Sequence, residues 1–240
     1  MTRLLAFDTS TDAMGIALRL PDRTLVFEGE GGAQASTHLI PEILALLARG
    51  GCTLQELDAI AFGRGPGAFT GLRTACSVAQ GLALGISRPV LPVDSLLLVA
   101  EDARESDAAA NVDCWVAMDA RMDEIYAAHY RWSGGRWQTC LAPGLFTIDA
   151  LNALWQRDPP ACVAGTALPT FAGRLRIDTA ARRVPQPRAR AAALARLAEA
   201  LWDVGAGVDA ALALPVYVRD KVAHTTAERD AARAAKAAVS

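Results

Sequence analysis

Gly63-Arg64-Gly65-Pro66-Gly67-Ala68-Phe69-Thr70-Gly71-Leu72-Arg73 sets four glycines and a proline between two apolar stretches. Before it, Asp58 to Phe62 (DAIAF) is short, apolar and followed by Gly, the pattern of a buried strand. After it, Val78, Leu82 and Leu84, with Ala75, Ala79 and Ala83 between them, form a helical stripe that stops at Gly85. The stretch therefore reads as strand, bend and helix start. Two uses of such a bend stand open. Its N–H groups, with Thr70 as N-cap, would hold an anion at the helix N-terminus. Alternatively, the missing side chains let another backbone, or another subunit, approach closely. No Lys follows the last Gly, so the loop is not a Walker A motif.

Working outward, 240 residues that are 52 % hydrophobic suffice for a sizeable core, and no apolar run approaches membrane-spanning length. The first residues, MTRLLAFDTS, lack the pattern of a signal peptide, so a cytoplasmic location is expected, with no membrane partner. Five cysteines without a CxxC pair, mostly within apolar runs, point to buried thiols rather than disulfides or a zinc site. A net charge of −2 exerts no overall pull on nucleic acid. Lys221 and Lys236 are the only lysines among 24 basic residues, a compositional bias that makes any single Arg less informative.

Along the chain, strands are expected at 3–8, 14–20 and 24–28, then a helix from Ser36 to the Gly50-Gly51 stop with Ile40, Ile43, Leu44 and Leu47 in its stripe. Thr53 and Glu56 have capping-box spacing before the strand that enters the glycine loop. A strand at 90–93 and a helix near Ser95 follow, and the polar residues 106–111 mark a boundary. Beyond it the order repeats: strands at 112–118, 125–132 and 137–141, a helix at 147–156, a strand at 161–164, a short helix at 166–175, a strand at 183–184 and a helix at 188–204. Both halves read β-β-β-α-β-α-β-α. Ala6-Phe7-Asp8 matches Ala117-Met118-Asp119, and Asp12 falls in register with Asp123, as an internal duplication requires. The expected fold class is α/β: two duplicated lobes, at 1–108 and 109–222, with a tail at 223–240.

Two lobes that each end their first strand in Asp resemble the actin, Hsp70 and sugar-kinase superfamily. That resemblance implies a cleft in which Asp8, Thr9, Ser10 and Asp119 contact a nucleotide. In Asp119-Ala120-Arg121, however, Arg stands where the superfamily pattern has Gly, and near Gly165 one Gly replaces the usual pair. More specifically, Asp8-Thr9-Ser10-Thr11, the glycine-rich undecapeptide, 119–126 (DARMDEIY) and 215–220 (PVYVRD) are similar to the TsaB, or YeaZ, family over nearly the whole length. The resemblance implies a non-catalytic scaffold subunit of the machinery that makes threonylcarbamoyladenosine beside the tRNA anticodon. Its implied partners are TsaD, which transfers the group, and TsaE, an ATPase. A homodimer is implied for the chain alone, and tRNA is met through the complex. No tightly bound cofactor is expected, ATP or ADP having its place at a subunit junction of the complex.

The same resemblance puts the partner surface on the helices flanking the glycine loop, with Ile40, Leu44, Gly67, Phe69, Leu72, Arg73, Ala75 and Ala79 as its residues. Two other classes compete with the scaffold reading. A small ATP-dependent kinase-like phosphotransferase would use Asp8 and Asp119. A metallopeptidase would need a second His four residues from His38, where Gln34 and Glu42 stand instead. The seven arginines between Arg174 and Arg196, with only Asp178 opposing them, form either a phosphate-steering patch or a solvated face.

Overall fold

The computed structural model describes residues 2–105, 111–185 and 190–219. Arg188, His224, the tail and most of the 106–111 boundary lie outside the described residues. The first lobe is built on β1 (Leu4–Asp8), β2 (Ala13–Arg19), β3 (Thr24–Glu30), β4 (Ala59–Gly65) and β5 (Val90–Asp94), in the spatial order β3-β2-β1-β4-β5. The second repeats it with β6 (Val112–Asp119), β7 (Glu124–Ser133), β8 (Arg136–Thr147), β9 (Cys162–Ala164) and β10 (Arg182–Val184), in the order β8-β7-β6-β9-β10. In each, a meander supplies the antiparallel strands and crossovers supply the parallel ones. The chain is a mixed α/β protein of two duplicated lobes, the architecture of the actin, Hsp70 and sugar-kinase type.

Helices cover both faces of the first sheet, which is why β1 is apolar at successive positions instead of alternating. On one face, α1 (Ala35–Gly50) and α2 (Phe69–Ile86) pack Leu39, Ile43, Leu47, Ala75 and Ala79 over Leu5, Phe7, Ile16, Ile60 and Phe62. The stripe expected on α1 therefore splits: Ile43 and Leu47 go inward, while Ile40 and Leu44 face out. The opposite face is lined by small residues, Ala6, Ala17, Ala59 and Ala61, and α6 (Arg190–Asp203) lies on it through Ala191, Leu194, Ala195 and Ala198. Small side chains on both partners bring helix and sheet close.

The two halves exchange helices. The chain from the second half returns as α6 to the first sheet, whereas α3 (Ser95–Glu105) from the first half covers the second sheet. There Leu96, Val99, Ala100 and Ala103 meet Val112, Cys114, Val116 and Tyr130. The far face of the second sheet carries α4 (Ile148–Arg157) and the single turn α5 (Ala167–Thr170). Residues 205–219 then run back over the first lobe, where Val208 bridges to Val90 and the Val216 N–H donates to the Arg64 carbonyl at 2.7 Å.

Local chemistry explains most boundaries. Gly51 ends α1 in the left-handed conformation (φ 63°), and Thr53 and Glu56 form the expected capping box. Four expectations are corrected. Ala68, not Thr70, is the N-cap of α2 and gives no side-chain cap; α2 runs past Gly85 to Ile86. The helix expected over 166–175 is the single turn Ala167–Thr170, which ends where Phe171 leaves helical geometry (φ −113°, ψ 31°). Strand β8 is longer than expected because it is an edge strand, where Pro143 removes no ladder bond from a second neighbour.

Candidate functional site

Parallel pairing of β1 and β4 sets Phe7 opposite Phe62, so Asp8, the last residue of β1, lies beside Gly63 of β4. Asp8 is only 2 % exposed. Its Oδ1 accepts hydrogen bonds from the Ser10 N–H (3.1 Å), the Ser10 hydroxyl (2.7 Å) and Arg190 Nη2 (2.8 Å); its Oδ2 accepts from the Ser95 hydroxyl (2.7 Å). Arg190 opens α6 and is also buried. It also donates to the Ser10 and Thr11 hydroxyls. The Thr9 hydroxyl donates to the Gly71 carbonyl at 2.7 Å. Both carboxylate oxygens and all three hydroxyls of the first loop thus have partners inside the chain. These internal bonds repay much of the desolvation of the buried pair, although Arg190 Nε is left without a partner, and deleting one member leaves an isolated buried charge.

The glycine loop closes this arrangement. A Cβ at Gly63 would sit 1.7 Å from Asp8 Oδ2, at Gly67 2.3 Å from the Ser10 carbonyl oxygen, and at Gly71 1.9 Å from the Thr9 carbonyl oxygen. The Ala68 N–H donates to the Ser10 carbonyl at 2.7 Å. Of the two uses left open by the sequence, close backbone approach is the one realised: the loop is seated on the chain's own Asp8–Ser10 turn.

Asp119 sits in a different setting. Its Oδ1 accepts from the Arg121 N–H (2.8 Å) and its Oδ2 from Arg121 Nη1 (3.4 Å), while its own N–H donates to the Thr166 hydroxyl (3.1 Å). Arg121 reaches over the cleft to Asp12 at 3.1 Å, both side chains being mostly exposed. Arg121, Met122 and Asp123 all have left-handed backbones (φ 63°, 58° and 59°), each at a cost of about 1–2 kcal/mol for a residue other than Gly. Arg219, at the end of the returning segment, braces the turn by donating to the Ala120 carbonyl (2.9 Å) and pairing with Glu124 (2.8 Å).

Between the hairpins lies a cleft of about 800 Å³, lined by Thr11, Asp12, Phe69, Asp119, Arg121 and Arg190 among others. The superfamily's nucleotide and magnesium ion do not fit the residues present. Arg190 stands against the carboxylate that would face the metal, and the hydroxyls for phosphate are already bonded. Among the described residues no three His, Cys, Asp or Glu side chains converge as metal ligands. His38 is exposed on α1.

The residues assigned to a partner surface divide. Ile40 and Leu44 are exposed, as is Leu84 on α2, which the sequence reading missed for this role. Arg73 is exposed; its guanidinium stacks 3.9 Å from the Phe69 ring and its Nε donates to the Tyr217 hydroxyl at 3.2 Å. Gly67 is half-buried beneath the turn, Ala75 and Ala79 are fully buried against the first sheet, and Leu72 is fully buried beside Gly65 at the end of β4. These last three are unavailable to a partner because the α2 face they occupy is the one the core requires; the outward face carries Arg73, Ser77, Gly81 and Leu84.

The arginine cluster also comes apart. Arg190 and Arg196 turn inward, Arg196 binding Glu101 at 2.6 Å, Arg174 pairs with Asp123, and Arg182 donates to the Ala103 carbonyl. The solvated-face alternative fails for the two α6 arginines. Arg190, Ser95 and Arg219 were overlooked as site residues. One signal was present: Arg190 begins the stripe continued by Ala191, Leu194, Leu197 and Ala198, and a charge aligned with an apolar face calls for a buried partner.

Fold and site together define a two-lobed protein of the actin and sugar-kinase type whose first phosphate loop is filled by its own side chains. A family model described as TsaD, tRNA N6-adenosine threonylcarbamoyltransferase, matches residues 31–163. The chain is 42 % identical over 123 residues to the tRNA threonylcarbamoyladenosine biosynthesis protein TsaB of Haemophilus influenzae, covering 51 % of each. Against TsaB of Escherichia coli the identity is 35 % over 162 residues, 64 % of this chain and 69 % of that one. The match thus spans about half of the first relative's length and about two thirds of the second's. The solved structure of YeaZ from Pseudomonas aeruginosa superposes with a TM-score of 0.79 at 37 % identity, over 90 % of this chain and all of that one. The chain belongs to the TsaB (YeaZ) family.

Proposed function

We propose that this chain is a non-catalytic scaffold subunit in the formation of threonylcarbamoyladenosine on tRNA, and that it docks a TsaD-like threonylcarbamoyltransferase through α1 and α2. The observation carrying the reading is the closure of the first loop: Asp8 makes four hydrogen bonds within the chain, one of them from Arg190. A carboxylate so engaged, buried and set against the Arg190 guanidinium, is held as a structural anion and is not presented to a metal or a substrate proton. On the outer side, Ile40, Leu44 and Leu84 expose apolar surface on two adjacent helices, and Ser77 and Gly81 leave α2 low enough for another helix to approach. The same surface serves a homodimer of the isolated chain. TsaE and tRNA join through the transferase, and ATP or ADP lies at a junction of the assembly.

Reconstitution tests this reading. TsaD and TsaE with tRNA and threonylcarbamoyl-adenylate, with and without this chain, are scored for modified adenosine. Modification should require the chain, persist with Asp119→Ala, and fail with the double substitution Leu44→Asp and Leu84→Asp, which also abolishes co-elution with TsaD. Modification indifferent to the chain, or lost with Asp119→Ala in a protein that still binds TsaD, rejects the scaffold role.

A further inference from the structure

Two cysteines outside the cleft share one spot in the second lobe. The register that sets Trp115 opposite Val163 places the preceding residues, Cys114 on β6 and Cys162 on β9, next to one another. The Cys114 thiol donates to Cys162 Sγ at 3.7 Å, inside the cluster formed with Val112, Val116 and Tyr130. The remaining cysteines are separate: Cys52 and Cys76 lie in the core of the first lobe, and Cys140 is exposed on β8.

The surroundings of the pair are unequal. Arg182 Nη1 lies 3.9 Å from Cys162 Sγ, favouring negative charge on that sulfur. The hydrogen bond to Cys162 and burial push the Cys114 thiol upward, so it keeps its proton. Cys162 is the first residue of a three-residue strand and follows Pro159, Pro160 and Ala161, so its end of the strand shifts more readily than Cys114 within β6. Adjacent strands lie about 4.8 Å apart, within the Cα range a disulfide spans and near its short end.

We propose that Cys114 and Cys162 are a reversible redox-modification site whose oxidant is hydrogen peroxide. The Cys162 thiolate attacks one peroxide oxygen, the O–O bond breaks, and the departing hydroxide takes a proton to become water, leaving a sulfenic acid on Cys162. Cys114 sulfur then attacks the Cys162 sulfur, the S–O bond breaks, and the hydroxyl leaves with the Cys114 proton as a second water. Two thiols are oxidised and one peroxide is reduced. Burial selects the oxidant, since a water-sized peroxide enters during local opening of β9 where a glutathione-sized disulfide does not. Arg182 also holds the Ala103 carbonyl of α3, so the new bond acts on the seam between α3 and the second sheet.

The test uses the full folded chain carrying Cys140→Ser, treated with hydrogen peroxide or with oxidised glutathione, then alkylated and analysed by intact mass and peptide mapping. Peroxide should remove two hydrogens and produce a linked peptide pair joining residues 114 and 162 as the main oxidised species, restored by dithiothreitol. Glutathione disulfide should leave the thiols free. In Cys114→Ala the reaction should halt at a sulfenic acid on Cys162 that dimedone traps. A linkage between other cysteines, progression to sulfinic acid without a linked pair, or no oxidation while the same chain unfolded in urea forms the bond would overturn the proposal. The mapping of the chain with Cys114 and Cys162 intact decides the matter even if a core variant fails to fold.

Discussion

The two aspartate hairpins began as copies and now do opposite things. At Asp8 the turn is flat, buried and held by Ser10, Ser95 and Arg190, with three loop glycines pressed against it. At Asp119 the turn bulges into solvent through three left-handed residues, held by exposed pairs and by Arg219 from outside. The carboxylates occupy equivalent strand ends, so residue type alone does not fix their role. Their difference arises from what the rest of the chain delivers: α6 brings a cation to the first hairpin, and the returning segment brings one to the back of the second.

The contrast is broken most severely by Arg190→Ala, which leaves Asp8 buried without its counter-charge. We expect a loss of about 3–5 kcal/mol, read as a lower urea midpoint. Gly71→Ala comes next. Its Cβ would meet the Thr9 carbonyl at 1.9 Å, backbone that cannot swing aside, and a loss of about 1–3 kcal/mol is expected in the same measurement. If Gly71→Ala is neutral, the loop is not seated on the first hairpin as described.

Acid sharpens the comparison at the seam between the lobes. Burial raises the pKa of Glu101, but donors from Arg104, Arg196 and Trp137 outweigh it and hold the carboxyl below its ordinary value. The unfolded chain then binds the proton more tightly. Its stabilising contribution is complete above the usual value of about 4.3 and is lost as pH falls through the lower folded value. Urea midpoints followed from about pH 6 to about pH 3 should decline less steeply in Glu101→Gln than in the unaltered chain. The smallest effect is expected at Arg121→Ala, where exposed pairs with Asp12 and Asp119 contribute about 0.2–1 kcal/mol. A loss there equal to that of Arg190→Ala would erase the distinction between the hairpins.

Much of the fold was legible because it rests on local signals. The capping box at Thr53, the stop at Gly51, the short apolar runs and helical stripes, and the doubled order of elements each depend on residues close in sequence. The outer faces of α1 and α2 were only half legible. Ile40 and Leu44 belong to the same apolar stripe as the buried Ile43 and Leu47, and Ala75 and Ala79 look as suited to a helix partner as to a core. Hydrophobicity does not distinguish a face turned to the sheet from one left for a partner; only the placement of the sheet does.

Alone, the sequence determined two duplicated α/β lobes, a strand-bend-helix at the glycine loop and likeness to the TsaB family, because periodicity, turn chemistry and motif order are written along the chain. Tertiary structure decided that α3 and α6 exchange lobes and that Arg190 meets Asp8 across 182 residues of separation. It also decided that the glycines admit the chain's own backbone. The reason is that a glycine's missing side chain and a charge's partner acquire meaning only from what lies opposite, and here what lies opposite comes from the other half of the chain.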